Sequence, residues 1–427
     1  MNLYFKNIGM INEASLDINK LTIIAGQNDS GKSTVVKVLY SITHNILDFE
    51  KISRFTKRVV IANNLKEIIK TLVLNKLWKE EIYGDNYDVL NEESIMGRNT
   101  DYDKLLGIKN IIQELWSGNT NIFNELKHSI IHKWKSNDAS IFIEEIDRLM
   151  NYNQELQKIA LSQTFNLEFS HQINNLFIKQ PAKVKLTIDE TCFLDCDIEN
   201  NIVSKVSHLK KIHSNDIAYI AWPYIFEDSL FRPKIQYIGL NNRERNLFSK
   251  MDKAYSLFKD EDYLQMGLIE DKKKKIEKKI NENMGGVLKY SEKNNSLVLK
   301  KNGEEILMFN VSMGIESFIL LNILLKIDFF KENNILIIDA PEVYLHPKWQ
   351  IEYAKIITNL AKEFDIKIIV TTHSPYMVKA FKKFSEEEKM TDNTNFYLMK
   401  KEGNISNVKN VNFNLEEIYS ELGSTFE

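Results

Sequence analysis

The chain has 427 residues, 43% of them hydrophobic and 27% charged, with a formal net charge of -3. That length supports a large core with more than one substructure, and the balance excludes both a disordered chain and a uniformly basic coat for nucleic acid. Two cysteines, Cys192 and Cys196, are too few for a disulfide framework or a zinc site and point to a reducing, cytoplasmic setting, while no apolar run approaches the length of a membrane span.

The first 45 residues alternate short apolar runs with turns. Residues 3–5 and 14–18 read as strands, 21–25 as a buried strand, and 33–47 as a helix with Val35, Val36, Val38, Leu39 and Ile42 on its apolar positions. A strand-like opening leaves no secretory leader to be expected. Residues 46–180 then contain no proline, are rich in Lys, Glu, Asn, Ile and Leu, and read as several helices, with 141–149 and 154–161 at helical spacing. No heptad pattern runs far enough for a long coiled coil.

Strand signals return at 183–188, 217–222 and 234–238. A continuous strand over 185–197 would put both cysteines on one face. Residues 271–283 form a basic helical stretch with Lys272, Lys273, Lys274, Lys275, Lys278 and Lys279, stopped by Gly285-Gly286. It reads either as a face for DNA phosphates or as a solvated helix surface softened by Glu277 and Glu282. A small meander follows at 287–290, 296–300 and 305–309. The remainder alternates helix and strand: helix 314–328, strand 335–338, helix 348–363, strand 367–371.

Four short segments carry chemistry. Gly26-Gln27-Asn28-Asp29-Ser30-Gly31-Lys32-Ser33-Thr34 is a complete P-loop pattern. Its glycines allow backbone N–H groups to turn inward around phosphates at a helix N-terminus, Lys32 reaches the β- and γ-phosphates of ATP, and the Ser33 hydroxyl is placed to ligate Mg²⁺. A buried strand before the loop and a helix after it are the context this pattern requires. The strand 335–338 ends in Asp339, a second candidate Mg²⁺ ligand, expected on a strand beside the P-loop strand; the competing reading is a turn before Pro341. Ser312 and Gly314 stand at the start of an apolar helix, where they either donate to a phosphate or form an ordinary N-cap with Glu316 nearby. His373, in Thr371-Thr372-His373-Ser374-Pro375, ends a strand and either contacts a γ-phosphate or is structural.

In order and spacing the four segments resemble Walker A, signature, Walker B and His switch of an ABC-type ATPase head. Asp339-Ala340-Pro341-Glu342-Val343-Tyr344-Leu345-His346-Pro347 resembles the D-E-P-E-x-x-L-H-P segment of the OLD and RecF-like branch, and Thr372-His373-Ser374-Pro375 resembles its T-H-S-P switch. The resemblance covers 1–45 and 285–380 and implies an α/β P-loop ABC-ATPase head with a mainly helical insertion: an N-lobe at 1–45, the insertion at 46–230, and a C-lobe at 231–427. It further implies that two heads sandwich two ATP molecules, so that Ser312 and Gly314 serve the nucleotide of a second subunit.

Two departures stand out. Asp29 occupies a position where a small residue is common, and Ala340 occupies the place of the glutamate that polarises the attacking water. An alanine cannot do this, so hydrolysis through that position should be weaker by about 10²–10⁴. Glu342 would share the face of Ala340 on an extended chain, but the resemblance gives it another place. Standalone heads of this kind resemble the ATPase subunits of Septu, PARIS and retron-associated antiphage systems, which implies an oligomer controlling a separate effector such as a nuclease. The segment after His373 is too short for the Toprim nuclease of OLD proteins. The alternatives are a RecF- or SMC-like ATPase clamping DNA and a nucleotide-gated scaffold that does not hydrolyse.

Overall fold

The computed structural model describes residues 1–44, 153–210, 216–221, 241–259 and 271–423. The chain divides into two compact units, one of Met1–Phe49 with Leu161–Glu427 and one of Glu50–Ala160. Nearly all of the second unit, the helix expected at 141–149 and the strand expected at 234–238 lie outside the described residues.

Fourteen strands are described: β1 Asn2–Ile8, β2 Ile11–Asp17, β3 Leu21–Gly26, β4 Ala182–Ile188, β5 Thr191–Glu199, β6 Ile202–Leu209, β7 Ile217–Ile220, β8 Val287–Ser291, β9 Ser296–Lys301, β10 Glu304–Leu307, β11 Ile335–Asp339, β12 Lys367–Thr372, β13 Thr394–Glu402 and β14 Ile405–Asn410. The described helices are α1 (32–44), α2 Asn153–Phe169, α3 Asn242–Lys259, α4 Asp271–Met284, α5 Met313–Lys326, α6 Pro347–Glu363, α7 Pro375–Glu387 and α8 Glu416–Gly423.

Eleven strands form one sheet in the order β6-β5-β4-β1-β2-β14-β13-β3-β12-β11-β7, and β10-β9-β8 form a second. Strands β13, β3, β12, β11 and β7 run parallel to one another, β14 pairs antiparallel with β13 and parallel with β2, and β1, β2, β4, β5 and β6 pair antiparallel among themselves as a flank. Strands β3, β7, β11 and β12 are almost wholly buried because both faces are covered, and their residues are mainly apolar, with Thr22, Thr371 and Thr372 among the buried ones. Leu21, Ile23, Ala25, Leu336 and Ile338 pack into one core with α3 to α7; Ile24, Ile335 and Ile337 pack into the other with α1 and α2. The period of two along each strand delivers alternate side chains to the two cores.

Strands β4 to β7 fall within the 46–230 region of the sequence reading, yet all four belong to the main sheet. The strand expected over 185–197 is a hairpin. Asp189 and Glu190 both take positive φ and make a two-residue turn of the kind that matches strand twist. A register shift pairs Cys192 with Thr187 while Cys196 pairs with Val184, so the cysteines leave the common face expected of them. Cys196 is buried, which raises its thiol pKa and leaves it a packing residue. Strand β13, which flanks β3, and its partner β14 add to the strands expected from the sequence.

The basic helix α4 buries Ile276, Ile280 and Met284 and turns its lysines outward. Lys272 pairs with Glu363, Lys273 with Asp328 and Lys278 with Glu282, so acidic neighbours answer much of its charge.

Candidate nucleotide site

The P-loop leaves the end of β3 and opens α1, so the loop sits at the carboxyl edge of the parallel sheet, where α/β folds place their ligands. A Cβ on Gly26 would lie 2.8 Å from both the Met399 carbonyl oxygen and Ser30 Oγ, and Gly31 has φ +89°; neither position accepts a side chain without displacement. Asp29, the first departure, adopts a left-handed φ of 57° and ion-pairs with Lys401 at the surface. Asn28 and Thr34 line the same cavity.

Lys32 is 8% exposed and folds over its own loop, donating to the Gly26 carbonyl at 2.8 Å and the Gln27 carbonyl at 2.6 Å. Burial lowers its pKa, against the upward pull of Glu342 and Asp339. Ser30 Oγ is buried with no hydrogen-bond partner among the described residues. A buried hydroxyl without a partner, a folded-back lysine and a glycine cradle all suit a phosphate chain arriving at the start of α1.

Asp339 ends β11. This strand, expected beside the P-loop strand, is separated from it by β12. The physical reason is the crossover: β11 returns through α6 into β12, and a parallel pair joined by one helix takes adjacent places. The carboxylate still reaches across. Ser33 Oγ donates to Asp339 Oδ1 at 3.2 Å, the Thr371 hydroxyl donates to the same oxygen, and the Tyr219 hydroxyl donates to Oδ2 at 2.7 Å. Among the described residues no cluster of three His, Cys, Asp or Glu could cage a metal. The oxygen set of Ser33 and Asp339 fits Mg²⁺, which is commonly held by one or two carboxylates together with substrate phosphates and water.

Ala340 has φ 52° and ψ 56°, and its N–H donates to the Thr371 carbonyl at 3.2 Å and hydroxyl at 3.0 Å. The chain then enters a 3₁₀ turn, Pro341–Tyr344. It therefore does not stay extended, and the turn folds Glu342 back into the cavity wall. Glu342 Oε1 accepts the His373 N–H and lies 2.9 Å from His373 Nδ1, while Oε2 is buried with no partner among the described residues. His373, at the end of β12, is half-exposed and reaches the cavity. Ser374 caps α7 by accepting from the Met377 N–H and donates to Gln350 Oε1 at 2.6 Å.

Together Asn28 to Thr34, Asp339, Ala340, Glu342, Gln350 and His373 border an open cavity of about 820 Å³, within the usual span of ligand pockets. Ser312 and Gly314 lie outside its lining. Ser312 occupies the N-cap position of α5, but its exposed side chain makes no cap hydrogen bond. Gly314 is a contact glycine: a Cβ there would stand 2.8 Å from the Trp349 ring and 2.9 Å from the Tyr344 carbonyl oxygen.

The family model of the AAA ATPase domain matches residues 1–378. The chain belongs to this family. The fold is thus that of an α/β P-loop ATPase. No curated protein matches the sequence. Solved structures similar to this chain include an Smc head bound to the C-winged helix domain of ScpA (12% identity, 97% of this chain and 98% of that one, TM-score 0.40). Others are the SMC head domain from Thermotoga maritima (9%, 96% and 98%, 0.39) and a Pyrococcus furiosus Smc head with an extended coiled coil (11%, 100% and 99%, 0.35). Among the described residues of this ATPase no helix is long and apolar enough to cross a membrane.

Residues that the sequence did not single out complete the site. Thr371 and Gln350 carried no signal beyond their positions in a strand and a helix. Arg243 stands behind Asp339: its guanidinium lies 4.7 Å from the centre of the Tyr219 ring, and its Nε is 2.5 Å from Oε2 of the buried Glu168. Burial raises the Glu168 pKa, against Arg243 and Lys37. Burial also works against the charge on Arg243, but Tyr219 and Glu168 carry its net shift upward. Arg245 is exposed, and Arg232 lies outside the described residues.

Proposed function

We propose that this ATPase is an ABC-type head that closes on a second copy of itself around ATP and hydrolyses it slowly. The observation that carries the reading is the placement of Ser312. Walker A, Walker B and His-switch residues border one cavity, whereas Ser312, at the start of α5, lies outside it with an exposed hydroxyl that caps nothing. A second copy would bring Ser312 and Gly314 to the open side of the nucleotide. Ser33 and Asp339 would hold Mg²⁺, which in such sites neutralises charge developing on the phosphates. Ala340 offers no group to polarise water, which favours holding ATP over splitting it.

Sedimentation of the purified chain with and without ATPγS tests the pairing. Wild type is expected to dimerise with nucleotide and Ser312→Arg to remain monomeric while still binding it. Nucleotide-independent mass in both proteins overturns the pairing.

The resemblance of 339–347 and 372–375 to the OLD and RecF-like branch supports a role in antiphage defence, with the closed pair restraining a separate effector such as a nuclease. Phage plating on cells carrying the chain with its neighbouring gene tests that role. Lys32→Ala is expected to abolish protection, and equal plating of wild type and variant removes it.

A further inference from the structure

A metal-binding carboxylate needs its orientation fixed by groups that do not themselves touch the ion. Asp339 has two oxygens with different partners: Oδ1 takes the hydroxyl of Ser33, which lines the cavity, and that of the buried Thr371, and Oδ2 takes the Tyr219 hydroxyl. Tyr219 projects from β7, the neighbour of β11 on the side away from the P-loop, and is 1% exposed. Three helices surround the phenol. Tyr40 of α1 meets its ring edge-on with centroids 5.7 Å apart, and the Tyr40 hydroxyl donates to the Asn242 carbonyl at the start of α3. Arg243, in the first turn of α3, covers the Tyr219 ring, and Glu168, near the end of α2, holds the guanidinium. The series Glu168, Arg243, Tyr219, Asp339 is thus continuous through an ion pair, a cation–ring contact and a hydrogen bond, and ends on a candidate metal ligand.

The geometry points to Tyr219 as the residue that orients the Asp339 carboxylate for the metal ion, with Arg243 and Glu168 locking the phenol in place. Tyr219 is a positioning residue and touches neither nucleotide nor metal. A donor on Oδ2 stops the carboxylate from rotating about its Cβ–Cγ bond and keeps Oδ1 beside Ser33, the other expected ligand. Without that donor the carboxylate has more than one orientation and the ion loses a preformed partner. Changes of this kind beside metal sites typically cost 10–100-fold in affinity. Arg243 acts one step further out. Its planar guanidinium stacks on the ring and pairs with a carboxylate at once, which a lysine ammonium does not reproduce.

This inference rests on the nucleotide-site reading, and the experiment separates the two. ATPγS affinity is measured by calorimetry for wild type, Tyr219→Phe and Arg243→Lys, in EDTA and across a Mn²⁺ titration followed by electron paramagnetic resonance. Tyr219→Phe keeps the ring and removes only the hydroxyl. It is expected to leave metal-free ATPγS affinity within about twofold of wild type and to weaken Mn²⁺ binding to the nucleotide complex 10–100-fold. Arg243→Lys is expected to shift Mn²⁺ binding in the same direction by a smaller factor. It also serves as the test if Tyr219→Phe does not fold. Unchanged Mn²⁺ affinity in the folded variants overturns the inference, as does an equal loss of ATPγS affinity with and without metal, the mark of a merely structural phenol. A wild-type chain that binds no ATPγS under either condition overturns the nucleotide site itself, and the inference with it.

Discussion

Asp339 and Ala340 are adjacent in the chain and opposite in what they can do. The first offers a carboxylate bound on both oxygens; the second offers a methyl group at a left-handed backbone position where a non-glycine residue costs of order 1–3 kcal/mol. Two hydrogen bonds from the Ala340 N–H to Thr371 offset that cost and hold the kink. Because the kink is fixed by the backbone, a longer side chain at 340 would leave from the same place on the cavity wall. Ala340→Glu is expected to raise ATP turnover by about 10²-fold or more, the usual worth of a general base, with nucleotide affinity little changed. A phosphate-release assay at saturating ATP checks this, and unchanged turnover removes the account of slow hydrolysis. Glu342, the nearest existing carboxylate, is already engaged by both the N–H and Nδ1 of His373.

At the scale of elements, the site is a set of strand ends followed by abrupt turns. β3 runs into the P-loop, β11 into the 3₁₀ turn and β12 into the Ser374 cap of α7, so each strand delivers its residue to the same edge of the sheet. Helix α5 is positioned differently, by close contact. The absence of a side chain at Gly314 lets it approach Trp349 and the Tyr344 carbonyl, and Tyr344 belongs to the turn that carries Glu342. A methyl group at 2.8–2.9 Å from these atoms must displace either the backbone or a ring. Gly314→Ala is therefore expected to lower unfolding free energy by about 1–3 kcal/mol, read from urea denaturation, and the coupling of α5 to the Walker B turn should carry the strain to His373. Retained stability would mean that α5 can shift without cost.

At the scale of the molecule, the parallel half of the sheet carries the P-loop cavity while groups far apart in sequence close around Asp339. Glu168 and Arg243 form the outermost pair of that enclosure, and Glu168 has a fully buried side chain. Removing one member of a buried pair strands the other. Glu168→Ala is expected to cost about 3–5 kcal/mol in unfolding free energy, whereas Glu168→Gln, which keeps an acceptor for Arg243, should cost less. Comparison of the two by urea unfolding separates the pair from simple packing: equal losses would assign the effect to volume.

The sequence by itself determined the class and the local patterns. A P-loop needs its glycines and lysine at fixed spacing between a buried strand and a helix, and a Walker B strand needs an apolar run ending in a carboxylate; both are short-range patterns, and α5, β11, α6 and β12 are legible for the same reason. What tertiary structure decided was neighbourhood. Nothing in residues 335–339 says that β12 rather than β3 lies beside them, because parallel order is set by crossovers. Nothing local in Tyr219, Arg243 or Glu168 says that they meet behind Asp339, because they come from three elements joined only by packing. The left-handed Ala340 is likewise invisible in sequence: the residue has no intrinsic preference for that conformation, and the Thr371 backbone and hydroxyl on another strand hold it there.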